Sequence, residues 1–498
     1  MKIKIKVYGL LVSVLNIFYI VWLSSNINGV AGWILFTADA LLVFLLLLFL
    51  MNHWSQSSVK KSNIAGIGSL DIFLPIVDED VELFEKTVLA ALRIDYKNKL
   101  VYILDDGKRP EIRALCERYN VRYLNRSSTL NYKAGNLNFG LEHSQGDYIL
   151  VLDADQIVEP LIASDLLGHF TNDESIAVIT TRQKFDVSKY DFNNDFLFYD
   201  HMQTGKNCDN AAISVGSGVF YRRSALNKIG GFQTWNILED LYTTFILHRN
   251  NYRSIYVNKS YTTGLAPKKL RNIYKQRSTW AHDSLRLLFR KLIFTKSGLS
   301  FSQYWHYFEV GFGYFVSAIS FSILFLIFPI TTIIGIEPIL NLDQYLLLRI
   351  TSLCGTLFLF YLLSRLTSSS IQYWISFFPI YLKAVFLALF SNKKNYKVTK
   401  KSEQDEPNDY IFLLPQLSIL GLNIFAICMN FYYYGFDLSL YSLGPFFWIM
   451  FLILCFFPLF AKESPKLYKK MRSVYFKWMN LLEGIFPLES TLDKREKF

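Results

Sequence analysis

Three groups of acidic residues have spacings that suit metal binding or acid–base chemistry. Asp153 and Asp155 flank one alanine directly after the apolar run YILVL. Two carboxylates separated by one residue can share a hard divalent cation, and Mg²⁺ is often held by one or two carboxylates together with substrate phosphates. A D-x-D pattern alone is weak, but its place after an apolar run favours a site for Mg²⁺ or Mn²⁺.

The other two groups are adjacent acid pairs. Asp105 and Asp106 follow the apolar run KLVYIL and precede Gly107. Glu239 and Asp240 stand at the expected start of an amphipathic helix, where they could simply complement the helix dipole for under about 1 kcal/mol. A carboxylate that points into a cleft could instead be a general base. The residues alone leave both interpretations open.

A lysine and a glycine-rich segment complete the set of candidate residues. Lys133 lies in NYKAGNLNFG (131–140), which we interpret as a polar loop. A cationic side chain on flexible backbone suits contact with a phosphate or a nucleobase, although an ordinary surface loop explains the same pattern. The segment GSGVFYRR (216–223) is interpreted as a glycine-rich turn followed by a strand and two arginines.

The elements that must position these residues alternate between strands and helices over 65–260. Strands are expected at 69–77, 99–107 and 148–156. A helix is expected at 81–94, where apolar residues recur at three- and four-residue steps. Acids at the carboxyl ends of successive strands predict a doubly wound α/β sheet that binds its ligand at those ends.

The composition indicates a membrane protein with one sizeable soluble insertion. Of the 498 residues, 52% are hydrophobic and 19% are charged. A transmembrane helix needs about 20 apolar residues. Six segments satisfy this requirement: 7–25, 30–51, 308–334, 345–364, 410–434 and 440–461. The first lacks a convincing cleavage site and is soon followed by a second span, so we interpret it as a retained helix.

The charges of the loops predict the orientation. The start of the chain, segment 391–401 and the tail after Ala461 are basic, whereas the loops 26–29, 335–344 and 435–439 carry no basic residue. The positive-inside rule then places both termini and the soluble region in the cytoplasm of a multi-pass plasma-membrane protein. The apolar segment 366–390 is expected to lie on the cytoplasmic surface, since a seventh span would put the 391–401 lysines outside.

The net charge of +11 has two explanations. Cytoplasmic loops that follow the positive-inside rule account for it, and a nucleic-acid partner is the sharper alternative. No nucleic-acid motif supports the latter, so no nucleic-acid partner is expected. No pair of the five cysteines has metal-ligand spacing, and we interpret them as free thiols.

The motifs together, in this order, resemble those of the membrane-embedded processive family 2 glycosyltransferases, most closely the bacterial cellulose synthase group. They are DDG (105–107), KAGNLN (133–138), DAD (153–155), GSGVFYRR (216–223), GGF (230–232), ED (239–240), GLAP (264–267), QRSTW (276–280) and NYKVTKK (395–401). QRSTW is similar to the family's Gln-x-x-Arg-Trp motif, with Thr279 in place of the arginine. The resemblance implies a GT-A fold inserted between transmembrane helices.

On the donor side, the resemblance implies contacts of Asp105 and Asp106 with the uridine of a UDP-sugar, with Lys133 nearby as part of the donor-binding site. Asp153 and Asp155 would hold the nucleotide and its Mg²⁺ or Mn²⁺. Thr399, in the loop 395–401, would close over the bound donor.

On the acceptor side, Asp240, with Glu239 beside it, would deprotonate the acceptor hydroxyl. Trp280 would stack under the acceptor sugar, and Gln276 would help to position it and contact the donor. Because threonine cannot supply the missing arginine's charge, we hypothesise that Arg277, or Arg286 nearby, contacts the diphosphate.

The resemblance divides the chain into six regions. They are two transmembrane helices (1–54), the cytoplasmic GT-A domain with interfacial helices (55–300), two transmembrane helices (301–365), an interfacial helix and gating loop (366–405), two transmembrane helices (406–461) and a basic tail (462–498). The tail is too short for the β-barrel that binds cyclic-di-GMP, so that regulator is not expected.

The function implied is a processive inverting β-glucan synthase that polymerises glucose from UDP-glucose and exports the polysaccharide through its membrane helices. The product would be cellulose, a curdlan-like glucan or a capsular glucan. An aminosugar polymer made from UDP-GlcNAc is the alternative enzyme activity. A transporter with a cytoplasmic regulatory domain is the alternative from another class, and the acids at the strand ends weigh against it.

Overall fold

The computed structural model describes residues 3–188, 191–293, 298–365, 367, 369–391, 410–435 and 440–463. Its sheet has eight strands: β1 (Leu70–Ile76), β2 (Lys99–Asp105), β3 (Arg122–Leu124), β4 (Tyr148–Val151), β5 (Ile157–Val158), β6 (Ile176–Phe185), β7 (Val219–Arg222) and β8 (Arg253–Gly264). Their order across the sheet is β3-β2-β1-β4-β7-β6-β8-β5. The three strands predicted from apolar runs are therefore present, although each ends before its acids or with the first of them.

The sheet is mixed rather than wholly parallel. β1 pairs in parallel with β2 and β4, whereas β7 is antiparallel to both β4 and β6. Gly216 and Gly218, just before β7, have φ of +81° and +67°, which residues with a Cβ rarely adopt. This turn leads directly into β7, which pairs with β4 so that the 216–218 segment lies beside the end of β4.

Apolar side chains cover both faces of the sheet because neighbouring strand residues point in opposite directions. Ile72 and Leu74 pack in one buried cluster with Phe84, whereas Phe73, between them in sequence, packs in a second cluster with Leu137. The helices of this domain are α3 (Val81–Leu92), α4 (Pro110–Tyr119), α5 (Tyr132–Glu142), α6 (Ile162–Leu166), α7 (Gly168–Asn172), α8 (Gln203–Cys208), α9 (Arg223–Lys228), α10 (Glu239–Arg249) and α11 (Leu270–Leu287).

The apolar helices lie before and after this domain. They are α1 (Ile3–Ser24), α2 (Gly29–His53), α12 (Phe301–Ile334), α13 (Leu342–Leu363), α14 (Ser369–Ser376), α15 (Phe378–Phe390), α16 (Leu414–Tyr434) and α17 (Leu440–Glu463). Five spans in the described part of the chain are long and apolar enough to cross a membrane. They are α1, α2, α12, α13 and the segment Tyr410–Tyr433 around α16.

Two segments are candidates for a sixth membrane span, and the described helices do not decide between them. α14 and α15 meet at an angle of 51° and pass the length and hydropathy test together, whereas the apolar helix within α17 is shorter, Pro445–Phe460. The sequence prediction takes 440–461 as the sixth span and 366–390 as interfacial, and that assignment stays a prediction. The segments 395–401 and 464–498 lie outside the described residues.

Candidate active site

Lys133 joins three elements at the carboxyl ends of the parallel strands. Its Nζ lies 2.7 Å from Asp153 Oδ1 after β4 and 3.2 Å from Glu239 Oε1 at the start of α10, and it donates to the Gly216 carbonyl at 2.9 Å. Burial alone would lower the lysine pKa, but the carboxylates of Asp153 and Glu239 raise it well above its ordinary value. The ammonium group is therefore charged and fixed at the centre of the site.

The sequence suggested that Lys133 lies in a loop, but it lies in the first turn of α5. Gly135 explains the error, because a Cβ there would lie 2.2 Å from the Leu130 carbonyl oxygen and 2.3 Å from an Arg126 nitrogen. The glycine thus permits close packing inside a helix. The low helix propensity of glycine and asparagine concealed the helix.

Glu239 and Asp240 are neighbours with different environments. Glu239 is ion-paired with Lys133, whereas Asp240 accepts only its own helix N–H from Leu241 at 2.7 Å among the described contacts of its carboxylate. Burial, followed by the negative charge of Glu239, raises the pKa of Asp240 to about 7. A carboxylate with a pKa near neutrality can take up a proton efficiently at physiological pH.

Gly216 brings the backbone close to this carboxylate. A Cβ on Gly216 would lie 2.8 Å from Asp240 Oδ2, and the glycine's φ of +81° already disfavours any side chain. The turn before β7 therefore places the Gly216 carbonyl, which accepts from Lys133, beside the Asp240 carboxylate. This arrangement needs glycine for both reasons.

The pair Asp153 and Asp155 fits a hard divalent cation by the chemistry of its donors. Asp153 is partly exposed and gives one oxygen to Lys133, while Asp155 is buried and accepts the Leu265 N–H at 3.0 Å through Oδ2. Carboxylate oxygens are the ligands that Mg²⁺ and Mn²⁺ prefer. The contact with Leu265 also links the D-x-D segment to GLAP (264–267), far away in sequence.

Asp105 and Asp106 lie at the end of β2, and both are engaged by the protein. Asp105 is fully buried and accepts the N–H groups of Gly107 and Arg109 at 2.9 and 2.8 Å. Asp106 makes a two-bond ion pair with Arg126 at 2.7 Å for each bond. The geometry thus gives both acids a part in shaping the 105–109 loop, and their contact with a nucleoside stays a prediction.

α11 carries the segment QRSTW, and its residues face different surroundings. The Arg277 guanidinium lies over the rings of Trp280 and Phe192, 4.6 and 5.2 Å from their centres. Gln276 is half-buried, and Thr279 returns its hydroxyl to the Lys275 carbonyl at 3.0 Å. Threonine therefore satisfies its own polar group within the helix and does not replace the missing cation.

Arg277 also lines a cavity between the catalytic domain and the apolar helices. The cavity has a volume of about 310 Å³, and its walls include Asp195, Tyr314, Trp374 and Tyr381. Arg286, the other candidate for the missing charge, is buried, with a nitrogen 3.6 Å from Asp283 Oδ1 and its guanidinium over the Trp235 ring. The described contacts of both arginines are thus away from the D-x-D acids.

Comparison with known proteins identifies the domain that carries this site. Residues 71–230 match the family model described as Glycosyl transferase family 2. The chain contains a family 2 glycosyltransferase domain. The matched region contains Lys133, Gly216 and all four donor-side acids (Asp105, Asp106, Asp153 and Asp155), whereas Glu239, Asp240 and QRSTW follow it.

The glycosyltransferase domain is homologous to those of bacterial cellulose synthase catalytic subunits. One from Komagataeibacter xylinus, "Cellulose synthase 1 catalytic subunit (UDP-forming)", is 34% identical over 248 residues, which are 47% of this chain and 33% of that relative. Another, from Xanthomonas axonopodis pv. citri, is 32% identical over 231 residues, 44% of this chain and 32% of the relative. The matches span about a third of the length of these relatives.

A solved structure agrees in fold. The glycosyltransferase domain and part of the surrounding chain resemble a mannosyltransferase from Pyrobaculum calidifontis in complex with GDP-Man and Mn²⁺. The TM-score is 0.55 at 15% identity, and the match covers 72% of this chain and all of that one. The expected GT-A-like α/β fold, flanked by apolar helices, is thereby confirmed.

Asp283 is a site residue that sequence reasoning missed. It lies on α11, one turn after Trp280, and is fully buried. Its Oδ2 accepts the N–H groups of Ile237 and Leu238 at 2.6 and 3.0 Å, directly before the acid pair on α10. One carboxylate thus fixes the helix that carries QRSTW and the start of α10 relative to each other. Leu238 precedes Asp283 by 45 residues in the chain, so no local sequence pattern could have indicated this role.

We expect Asp283→Ala to lower the transfer rate about tenfold or more while the KM for the donor changes little. The loss leaves the part-buried Leu238 N–H without its acceptor, leaves the Ile237 N–H only its 3.2 Å contact with Asn236 Oδ1, and leaves the nearby Arg286 without its partner, so the unfolding free energy should also fall by about 3 kcal/mol. Steady-state kinetics and thermal unfolding measure both effects. Asp283→Asn keeps an acceptor oxygen and should recover part of the rate, and equal rates for the two variants would contradict a positioning role.

Proposed function

We propose that the protein is a processive inverting synthase of the plasma membrane that polymerises glucose from UDP-glucose into a β-glucan. The observation that carries the proposal is the Asp240 carboxylate, whose pKa is raised to about 7, beside a lysine held by Asp153 and Glu239. The homology to UDP-forming cellulose synthase subunits supports the choice of donor.

The chemistry requires a base for the acceptor and stabilisation of the departing diphosphate. Asp240 takes the proton of the acceptor hydroxyl as this oxygen attacks the anomeric carbon. Lys133 contributes positive charge near the leaving group. A divalent cation held by Asp153 and Asp155 would supply further charge neutralisation for the diphosphate. Asp153 and Glu239, the neighbouring carboxylates among the described residues, are both paired with Lys133, so Asp240 acts as a single base. A single base favours inversion, so an α-linked donor gives a β-linked product.

The cavity suits the growing polysaccharide. Arg277, which lines the cavity, also stacks on the Trp280 ring and so fixes that ring from one side. Tyr314, Tyr381 and Trp374 continue the aromatic lining toward the apolar helices. Sugar rings have apolar faces that pack on aromatic side chains, so a chain elongated at Trp280 would enter this cavity and cross the membrane through it.

The loops support the orientation predicted from their charges. Asn28 N donates to the Pro338 carbonyl at 2.9 Å, and Leu340 N donates to the Asn26 carbonyl at 3.0 Å. Loops 26–29 and 335–344 therefore lie on one side of the helices, as the proposed topology requires for two outside loops. The catalytic domain at 55–300 and the basic segments would lie on the cytoplasmic side, with the region boundaries given by the sequence.

The transfer rate should rise with pH through about 7 and become constant at higher pH, because Asp240 must lose its proton to act as a base. Glu239→Gln should move this rise to lower pH, since the charge of Glu239 is a cause of the raised pKa of Asp240. Initial rates of UDP release between about pH 5 and 9 measure the shift. A rise at unchanged pH in Glu239→Gln would contradict this coupling.

Arg277→Ala should shorten the polymer and lower turnover about tenfold without raising the KM for UDP-glucose. The arginine supports the Trp280 ring and lines the cavity, so its loss should weaken the grip on the acceptor. Polymer length, measured by gel filtration, and the KM for UDP-glucose distinguish a role at the acceptor from a role at the diphosphate. A large increase in donor KM would instead support the hypothesis that Arg277 contacts the diphosphate; Arg277→Lys keeps the charge but loses the planar stacking.

Purified protein in nanodiscs, supplied with UDP-glucose or UDP-GlcNAc and Mg²⁺ or Mn²⁺, tests the proposed function. We expect UDP release and a polymer from UDP-glucose, which linkage-specific glucanases would then identify as cellulose, curdlan-like or another glucan. If polymer formed only from UDP-GlcNAc, the product would be an aminosugar polymer and not a glucan. No turnover with any UDP-sugar would overturn the enzyme mechanism and leave a transport role.

A further inference from the structure

Two histidines and a glutamate form a buried group where the apolar helices meet the catalytic domain. His53 is the last residue of α2, while His306 and Glu309 lie one turn apart near the start of α12. All three are at most 4% exposed. One imidazole nitrogen from each histidine and one Glu309 oxygen lie within 4.8 Å of one another. This group is separate from Asp153, Asp155 and the acid pair on α10.

The surrounding hydrogen bonds orient the three side chains as metal ligands are oriented. Asn52 donates to Glu309 Oε2 at 2.7 Å. Within the group, His53 Nε2 lies 2.9 and 3.0 Å from the two Glu309 oxygens, so these two side chains already face each other. His306 Nε2 lies 2.8 Å from Asp209 Oδ2. Outer carboxylate and amide partners of this kind fix the tautomer and direction of metal-binding histidines and carboxylates.

The hydrogen bond to Asp209 uses Nε2 of His306, so Nδ1 is the nitrogen that remains for another contact. An ionised carboxylate only accepts, so Nε2 carries the hydrogen and Nδ1 keeps its lone pair. That Nδ1 is buried and has no hydrogen-bond partner among the described residues. Nδ1 of His53 instead faces Gly205, where a Cβ would lie 2.3 Å from it, so His53 would bind through Nε2, the nitrogen beside Glu309. A buried lone pair without a donor costs free energy, which coordination to a cation would recover.

The local charge suits a divalent ion. With neutral imidazoles, the carboxylates of Glu309 and Asp209 carry two negative charges, and the buried ammonium of Lys206, which donates to the His306 carbonyl at 2.9 Å, carries one positive charge. The remaining negative charge favours a cation. Two imidazoles and one carboxylate are a common donor set of Zn²⁺, whose bonds of about 2.0–2.1 Å place neighbouring donors about 3.3 Å apart.

We propose that His53, His306 and Glu309 bind one Zn²⁺ or a similar transition-metal ion that joins α2 to α12 and, through Asp209, holds the catalytic domain against these helices. α2 and α12 supply the three ligands, and Asp209, directly after α8, holds one of them from the catalytic domain. The role is therefore structural, and the site is independent of the divalent cation expected at the D-x-D acids.

The test is the metal content of the full-length protein, purified in nanodiscs with a tag that contains no histidine. After dialysis against EDTA and then against a small excess of Zn²⁺, mass spectrometry should find about one equivalent per chain. With Co²⁺ instead, visible absorption bands of a four-coordinate site should appear. Less than about 0.1 equivalent of Zn²⁺ and no Co²⁺ bands in the unaltered protein would overturn the proposal.

Variants locate the metal. Glu309→Gln and His306→Gln should lose the Co²⁺ bands, whereas the double variant Asp153→Asn/Asp155→Asn, at the other candidate site, should keep them. Far-UV circular dichroism and gel filtration distinguish a folded variant from an unfolded one. If His306→Gln fails to fold, Glu309→Gln and the unaltered protein still decide the outcome. Retention of the bands in folded Glu309→Gln would assign the metal to another place and overturn the proposal.

Discussion

Replacing Asp240 by asparagine should lower the rate of sugar transfer at least about 10³-fold. Asparagine has the same shape and keeps an oxygen that can accept the Leu241 N–H, but it cannot take a proton from the acceptor hydroxyl. A positioned general base contributes about 10²–10⁴-fold to such reactions. The effect should appear in turnover, measured as UDP release at saturating UDP-glucose, and the thermal unfolding temperature should not fall.

Glu239→Gln is the matched control for this prediction. It changes the adjacent residue in the same way, but the carboxylate it removes is paired with Lys133 and is not the proposed base. Its loss of rate should therefore be much smaller than that of Asp240→Asn. If Asp240→Asn kept more than a tenth of the original rate, Asp240 would not be the base.

Asp240 shows which part of a site a sequence can reveal. The acids at the ends of β2 and β4 follow apolar runs, so their location at one edge of the sheet could be predicted from strand polarity. Asp240 starts a helix, where a carboxylate also has a simple electrostatic reason to occur. Gly216 and Lys133, which lie 83 residues apart in the chain, both come close to Asp240, and this proximity favours the interpretation as a general base, which stays a prediction.

Lys133 and Asp283 show the opposite case. The sequence favours a loop for Lys133, because helix propensity is a weak guide where glycine serves close packing. Asp283 has the pattern of an ordinary polar residue in an amphipathic helix, and only the packing of α11 against the segment before α10 gives it a partner. Both residues depend on contacts between distant segments, and such contacts leave no local pattern.

The cavity side of α11 could be predicted only in part. The spacing of Arg277 and Trp280 already places them on one face of a helix. The direction of that face depends on α12 and α15, which pack against α11 and contribute Tyr314 and Tyr381 to the cavity. For the same reason, the hypothesis that Arg277 contacts the diphosphate could not be weighed before its neighbours were known.

Lys133→Met should have the second large effect, a loss of about 10²-fold or more in transfer rate at pH 7. Methionine has a similar length and apolar stem but no charge. Its introduction leaves three carboxylates, Asp153, Glu239 and Asp240, without their shared cation. The departing diphosphate also loses a preorganised positive charge, and one such donor is worth about 10²–10³-fold in other enzymes.

The pH dependence of Lys133→Met tests the electrostatic cause directly. The lysine lowers the pKa of Asp240 against burial and against Glu239. Its removal should therefore raise that pKa further, so the rise of rate with pH should move to higher pH and part of the lost rate should return in alkaline buffer. Lys133→Arg, which keeps the charge, should retain the original pH profile even if its larger head group lowers the rate.

The expected loss of rate and the expected shift of the pH profile in Lys133→Met can fail separately. A slow Lys133→Met variant with the original pH profile would mean that the lysine acts on the diphosphate and not on Asp240. A shifted profile with the full rate restored at high pH would mean the reverse, because a base that is merely protonated regains its function once it is titrated. Since Lys133 contacts Asp153 and Glu239 at once, we expect a shift together with incomplete recovery.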